Sequence, residues 1–248
     1  MRLIPDKRTF AVDPKYFPTR DVVQAAGTSF CLANSMMGTL NVRVQRNPNT
    51  DYLWLATYHN YDAGGTYKNN FWWTFVTSDG ERRSEKGVPT NGQYQLGPQG
   101  RFPLYDCVVI KLHSRSPRSN IGGIFGVTDL ISGTTNAMPG DLVVKYGMAT
   151  GKTYGTVREW PPDEPQEYNS YIMLIEHTDQ LKRPKEGPFA EGGDSGAPIM
   201  VVRGPLENTT YWMAGMLVMT ATEGKYGLAS RIGPIEAQFQ VKVVSGIW

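Results

Sequence analysis

Cysteine is scarce in this chain. Cys31 and Cys107 are the only two in 248 residues, enough for one internal bridge at most, which excludes the small disulfide-stapled scaffolds of secreted proteins. Long apolar runs are missing as well. Nowhere do about 18 apolar residues follow one another, so no stretch reads as a membrane-spanning helix and no membrane insertion is expected. The opening MRLIPDKRTF lacks the apolar core of a secretory signal peptide. These absences favour an intracellular, reducing compartment, unless the chain is a fragment processed from a precursor. One sequon, at Asn208, carries little weight without a secretion signal. Charge of one sign is also lacking: the net charge is +2, and Arg82, Arg83, Arg115, Arg118, Lys182, Arg183 and Lys185 are scattered rather than gathered into a stripe. Nucleic acid is therefore not an expected partner. There is no His-x-x-x-His, no Cys-x-x-Cys and no acidic calcium-type loop, so neither a metal nor another cofactor is expected.

What is present is strand material. With 40% hydrophobic and 11% aromatic residues the chain can fill a substantial core. Short β-branched and aromatic runs (GTLNVRVQ, DYLWLAT, NNFWWTFVTS, DCVVIKL, DLVVKYG, SYIMLIEH, APIMVVRG, YWMAGMLVM) alternate with clusters of Gly, Pro, Asn and Asp. Helical signatures are few, and neither a heptad nor a fixed-period repeat is found. The pattern predicts an all-β protein. A change of texture at HSRSPRSNIGG, residues 113–123, reads as a linker between two β lobes of about a hundred residues each. The expected division is an N-terminal segment 1–24, a first lobe 25–118, a second lobe 119–235 and a C-terminal segment 236–248.

The segment EGGDSGAPIM, residues 191–200, sets a serine between glycines and runs into an apolar strand. Alone such a segment is a turn more often than an active site. A serine hydroxyl is a poor nucleophile unless a base takes its proton, and the base works best when an acid fixes its tautomer. Histidine is scarce: only His59, His113 and His177 are available. His59 follows the apolar run of LWLATYHNYD, where a side chain can project from a strand end into a cleft, while His113 and His177 read as surface residues. For the acid, Asp106 enters the buried-looking CVVIKL, where an unpaired carboxylate would be costly. Asp62 is the rival. Cys107, beside Asp106, reads as a small buried hydrophobe, and the Trp72–Trp73 pair as core and barrel surface.

Taken in order, LATYHN, YDCVVIKL and GGDSGAPI resemble the His, Asp and Ser blocks of the chymotrypsin-like (trypsin-fold) serine peptidases, with separations similar to those of cellular members. VVKYGMATGKTYGTV is similar to the strand, turn and strand opening the second barrel of intracellular or bacterial-type members. The likeness spans most of residues 25–235 and is loose outside the three blocks. It implies two antiparallel six-stranded β-barrels with the active cleft between them. It further implies a serine endopeptidase with His59, Asp106 and Ser195 as catalytic residues, Gly193 and Ser195 donating the oxyanion-hole N–H groups, and a peptide or protein as substrate. By the same likeness Phe189 would floor the pocket for the residue before the scissile bond, with Gly192 near its entrance and Val218, Met219 and Thr220 in its wall. No lysine- or arginine-selecting carboxylate stands at the floor position, so an apolar or small residue is expected, with Glu191 or Glu223 able to add charge. Digestive members pair the acid at position 194 with a newly cut amino terminus. No activation site precedes the first strand here, so Asp194 is expected to find another side chain or backbone donors. The alternatives left open are a trypsin-fold interaction protein with an unused triad and a peptidase restricted to itself or one partner. GMATGKT, residues 147–153, has too few residues between its glycines for a phosphate-binding loop.

Overall fold

The computed structural model describes residues 29–32, 37–46, 53–62, 71–76, 82–112, 131–147, 149–178, 187–204 and 209–245. The expected linker, the N-terminal segment, His113, and the side chains of Cys31, Asp62, Trp72 and Trp73 lie outside the described residues. Among the described residues no helix is long and apolar enough to cross a membrane.

Strands dominate, as the alternation of β-branched runs with turn residues predicts. The first lobe holds β1 (Ser29–Leu32), β2 (Met37–Thr39), β3 (Arg43–Gln45), β4 (Leu53–Ala56), a one-turn helix α1 (Tyr58–Asp62), β5 (Phe71–Val76), β6 (Arg82–Leu96) and β7 (Pro103–Leu112). The second holds β8 (Ile131–Thr134), β9 (Leu142–Gly147), β10 (Gly151–Arg158), β11 (Ile172–His177), β12 (Pro198–Arg203), β13 (Thr210–Ala221) and β14 (Tyr226–Arg231), followed by α2 (Ile232–Phe239) and β15 (Lys242–Val243). In the first sheet the order is β15-β3-β4-β7-β6-β5-β1-β2. In the second it is β12-β9-β10-β11-β14-β13, and an added β12–β13 pairing closes six strands into a barrel, which β8 joins in parallel beside β13. Closure leaves those six strands without a free edge.

The polar β6, RRSEKGVPTNGQYQL, has no apolar alternation and was not anticipated. It forms because it lies between β5 and β7 and pairs with both. Pro89, which cannot donate to the ladder, sits where the register shifts, between Pro89 and Asn91.

Burial follows the two lobes and welds them together. One cluster fills the second barrel around Val143, Ile175, Ile199, Leu217 and Ala229. A second joins Val42, Leu55, Cys107 and Val109 of the first lobe to Val144, Met200 and Met213 of the second and to Ile232, Ile235 and Phe239 of α2. A third seats Phe102, just before β7, edge-on against Trp160 and Tyr168. Beside it Arg101 Nη1 pairs with Glu164 Oε2 at 2.6 Å. The end of the chain then returns, as β15, to the first sheet.

Candidate active site

β4 and β7 pair in antiparallel register with Ala56 opposite Val108. The chain leaving β4 through Thr57 therefore arrives, at His59, beside Asp106 on the neighbouring strand. Asn60 Nδ2 donates to Thr57 Oγ1 at 2.8 Å and fixes the turn. Asp106 is 1% exposed, and both its oxygens are used: Oδ1 accepts the His59 backbone N–H at 2.8 Å, and Oδ2 is hydrogen-bonded to His59 Nδ1. A buried carboxylate accepts, so the ring proton sits on Nδ1 and Nε2 carries the free lone pair. The imidazole is a third exposed while its partner is closed off. Opposite Asp106 on β6 lies Tyr94, whose phenol is raised by burial and by the Asp106 charge.

The nucleophile turn is held from both lobes. Gly193 and Gly196 flank Asp194 and Ser195 with φ of +101° and +96°, a region that side chains rarely adopt and glycine enters freely. Thr39 Oγ1 donates to Gly193 O at 2.9 Å, the Thr39 N–H to Ser195 O at 2.8 Å, and Asn41 Nδ2 to Gly196 O at 2.9 Å. The same short segment bonds to β4: the Asn41 N–H reaches Leu55 O at 2.9 Å, and the Leu55 N–H reaches Val42 O at 3.1 Å. Residues 39–42 thus strap the strand that delivers His59 to the turn that carries Ser195. A Cβ on Gly196 would stand 2.0 Å from the Thr39 carbonyl oxygen, so the strap fits only because that residue is glycine.

From the other side, Asp194 points into the second barrel and is wholly buried. Lys145 Nζ, also wholly buried, lies 3.0 Å from its Oδ2. Thr150 Oγ1 donates to the same oxygen at 2.6 Å and the Glu191 N–H at 3.1 Å, while the N–H groups of Ala149 and Thr150 reach Oδ1 at 2.8 and 3.2 Å. Burial lowers the Lys145 pKa, and the Asp194 charge opposes that shift. Gly147 makes room, since a Cβ there would come within 2.2 Å of Asp194 Oδ1. The expectation that Asp194 finds internal donors is met, and by the very turn that superficially resembles a phosphate loop.

The expected pocket residues are placed as follows. Phe189 has no exposed surface. It packs where Gly155 and Gly227 leave space, with Lys145 Nζ 5.7 Å from its ring centre and His177, half-buried, beside it. Gly192 is half-buried, Val218 is buried at a bulge between Leu217 and Met219, and Met219 and Thr220 are half-buried further along β13. Glu191 is half-buried and donates its N–H to Asp194, whereas Glu223 is exposed in the turn after β13. Cys107 is fully buried, and desolvation first, then the Asp106 charge, holds its thiol pKa well above the ordinary value.

Sequence reasoning passed over Lys145, Thr150, Thr39 and Asn41. A signal existed for Lys145, a lysine inside the apolar run DLVVKYG, because a charge in a buried strand demands a partner. Thr39 and Asn41 carried none.

Among protein-family models none matches the chain, and no curated protein matches it either. Solved structures do. Thermobifida fusca protease A aligns with a TM-score of 0.59 at 16% identity, over 91% of this chain and all of its own. Nocardiopsis protease aligns at 0.59 and 14% identity, over 90% of this chain and all of its own. Cellulomonas bogoriensis chymotrypsin aligns at 0.57 and 13% identity, over 91% and 100%. The chain therefore has the two-lobed trypsin fold of the chymotrypsin-like serine proteases.

Proposed function

We propose that this protein is a serine endopeptidase in which His59, Asp106 and Ser195 form the catalytic triad. The observation that carries the reading is the double grip of Asp106 on His59, through its backbone N–H and its Nδ1, just beyond β4, which residues 39–42 tie to the Ser195 turn. His59 Nε2 takes the Ser195 Oγ proton as Oγ adds to a peptide carbonyl, and the imidazolium that forms is stabilised by Asp106. The developing oxyanion is met by the N–H groups of Gly193 and Ser195. His59 then hands the proton to the leaving amine, and the acyl-enzyme on Ser195 is hydrolysed by water activated in the same way.

That Lys145, Thr150 and backbone N–H groups already satisfy Asp194 supports the reading that activity needs no zymogen cleavage. No acidic side chain stands at position 189, which favours a small or apolar residue before the scissile bond, while the Phe189 ring itself is closed off from the cleft. The test is labelling with a fluorophosphonate probe, with the adduct located by mass spectrometry. Labelling at Ser195 that is lost in Ser195→Ala and His59→Ala is the expected result. Esters graded in the acyl side chain from alanine to phenylalanine, lysine and glutamate then read the pocket. A folded chain that is never labelled refutes the triad, and a lysine or glutamate ester turned over best refutes the pocket.

A further inference from the structure

At the end of β14 the chain enters α2 through Arg231, a residue that is 8% exposed. Its guanidinium donates four hydrogen bonds. Nε reaches the Asn169 carbonyl at 2.8 Å, Nη1 reaches the Ala137 carbonyl at 2.8 Å and Asn136 Oδ1 at 3.0 Å, and Nη2 reaches Asn169 Oδ1 at 3.2 Å. All four acceptors are neutral. No carboxylate pairs with Arg231 among the described residues, and burial, with no anion opposing it, lowers its pKa. A guanidinium carries five N–H donors, so one remains without an acceptor among the described residues.

The surroundings compound the imbalance. Arg231 is the N-cap residue of α2 and supplies no side-chain cap. The helix thus begins from a residue with a cationic side chain, the reverse of what a helix dipole favours. A buried charge without a counter-charge is costly. Arg231 also lines an open cleft of about 760 Å³, a size suited to small organic ligands. Thr135, Gln166 and Ser170 give it polar groups, and Met138 and Pro234 an apolar wall. Among the described residues its one acidic lining residue, Glu236, is engaged elsewhere: Oε1 accepts the Val243 N–H at 2.9 Å, and Oε2 lies 3.4 Å from Lys242 Nζ. Neither His59, Asp106 nor the Ser195 turn takes part in this cleft.

We infer that the cleft binds a carboxylate carried on a small apolar body, the carboxylate on Arg231 and the body against Met138 and Pro234. A single cation facing a half-apolar wall fits a monoanion better than a dianionic phosphate. The site does not depend on the triad reading.

Benzoate and its neutral isostere benzamide are the probes, titrated against the full chain while thermal unfolding and fluorophosphonate labelling are followed. Benzoate should raise the melting temperature with saturation, as a ligand of the native state does. Benzamide should leave it unmoved, and the labelling rate should not change. Arg231→Gln should weaken benzoate binding at least tenfold. Ser170→Glu, which brings a carboxylate to the same cleft and leaves the Arg231 hydrogen bonds in place, should abolish the benzoate response and itself raise the melting temperature. It decides the matter if Arg231→Gln does not fold. Equal responses to both probes, a benzoate response that survives Ser170→Glu, or no response to benzoate in the unmodified chain overturns the inference.

Discussion

Replacing Lys145 by methionine removes a buried cation with little change in shape and leaves Asp194 charged in the barrel wall. Breaking a buried pair by deleting one partner costs about 3–5 kcal/mol. Here Asp194 keeps Thr150 Oγ1 and the N–H groups of Ala149, Thr150 and Glu191, so the low end, about 3 kcal/mol, applies. For a chain of this size that is a fall in melting temperature of roughly 6–12 °C. If the loss falls on the Ser195 turn before the rest of the fold, kcat/KM drops by up to about a hundredfold. Scanning calorimetry, the rate of fluorophosphonate labelling and ester hydrolysis, measured side by side, separate the two effects. The double variant Lys145→Met/Asp194→Asn should recover part of the lost stability, because it removes the stranded charge. A Lys145→Met protein within twofold of the parent in labelling rate, with an unchanged melting temperature, would refute the idea that this pair holds the turn.

Asp106→Asn should lower kcat by about 10⁴ near neutral pH, because an amide in place of the carboxylate favours the wrong His59 tautomer; a loss under tenfold in steady-state ester kinetics would remove Asp106 from the triad. Gly196→Ala forces a Cβ to within 2.0 Å of the Thr39 backbone oxygen at a φ of +96°, and since that oxygen belongs to main chain it has little room to retreat. Loss of labelling together with a lower melting temperature is expected, and parent-like behaviour in both would mean the strap is not rigid. Cys107 should resist Ellman's reagent in the native protein and react once denatured, as peptide mapping of the modified residue would reveal. Its raised pKa has a second consequence: the folded thiol keeps its proton where the unfolded one releases it, so its contribution to stability is full below about pH 8.5 and declines above it. Denaturant titrations between pH 8 and 10 check the sign.

The all-β class was legible because it is written in local chemistry, whereas the trypsin fold was legible only through the resemblance of the ordered His59, Asp106 and Ser195 blocks to a known family. Runs such as DLVVKYG and SYIMLIEH form β9 and β11, since β-branched and apolar residues suit a pleated, half-buried surface. β6 was not legible. Its residues carry no periodic signal, and only pairing on both sides makes them a strand. Phe189 shows a similar divide. Its place six residues before Ser195 could be counted along the chain, but whether its ring meets solvent depends on Gly155 and Gly227, which leave the space it fills.

By itself the amino-acid sequence determined the all-β class and the ordered His59, Asp106 and Ser195 blocks, because strand propensity and side-chain reactivity are properties of the residues; that Asp194 needs an internal partner followed only from the family resemblance. Tertiary structure decided that Lys145 and the 149–150 turn supply that partner, that Thr39 and Asn41 bind the two lobes at the nucleophile turn, and that Arg231 is buried without a counter-charge. These are contacts between groups far apart in the chain. A hydrogen bond or an ion pair depends on distance in space, and that distance is set only when the sheets close.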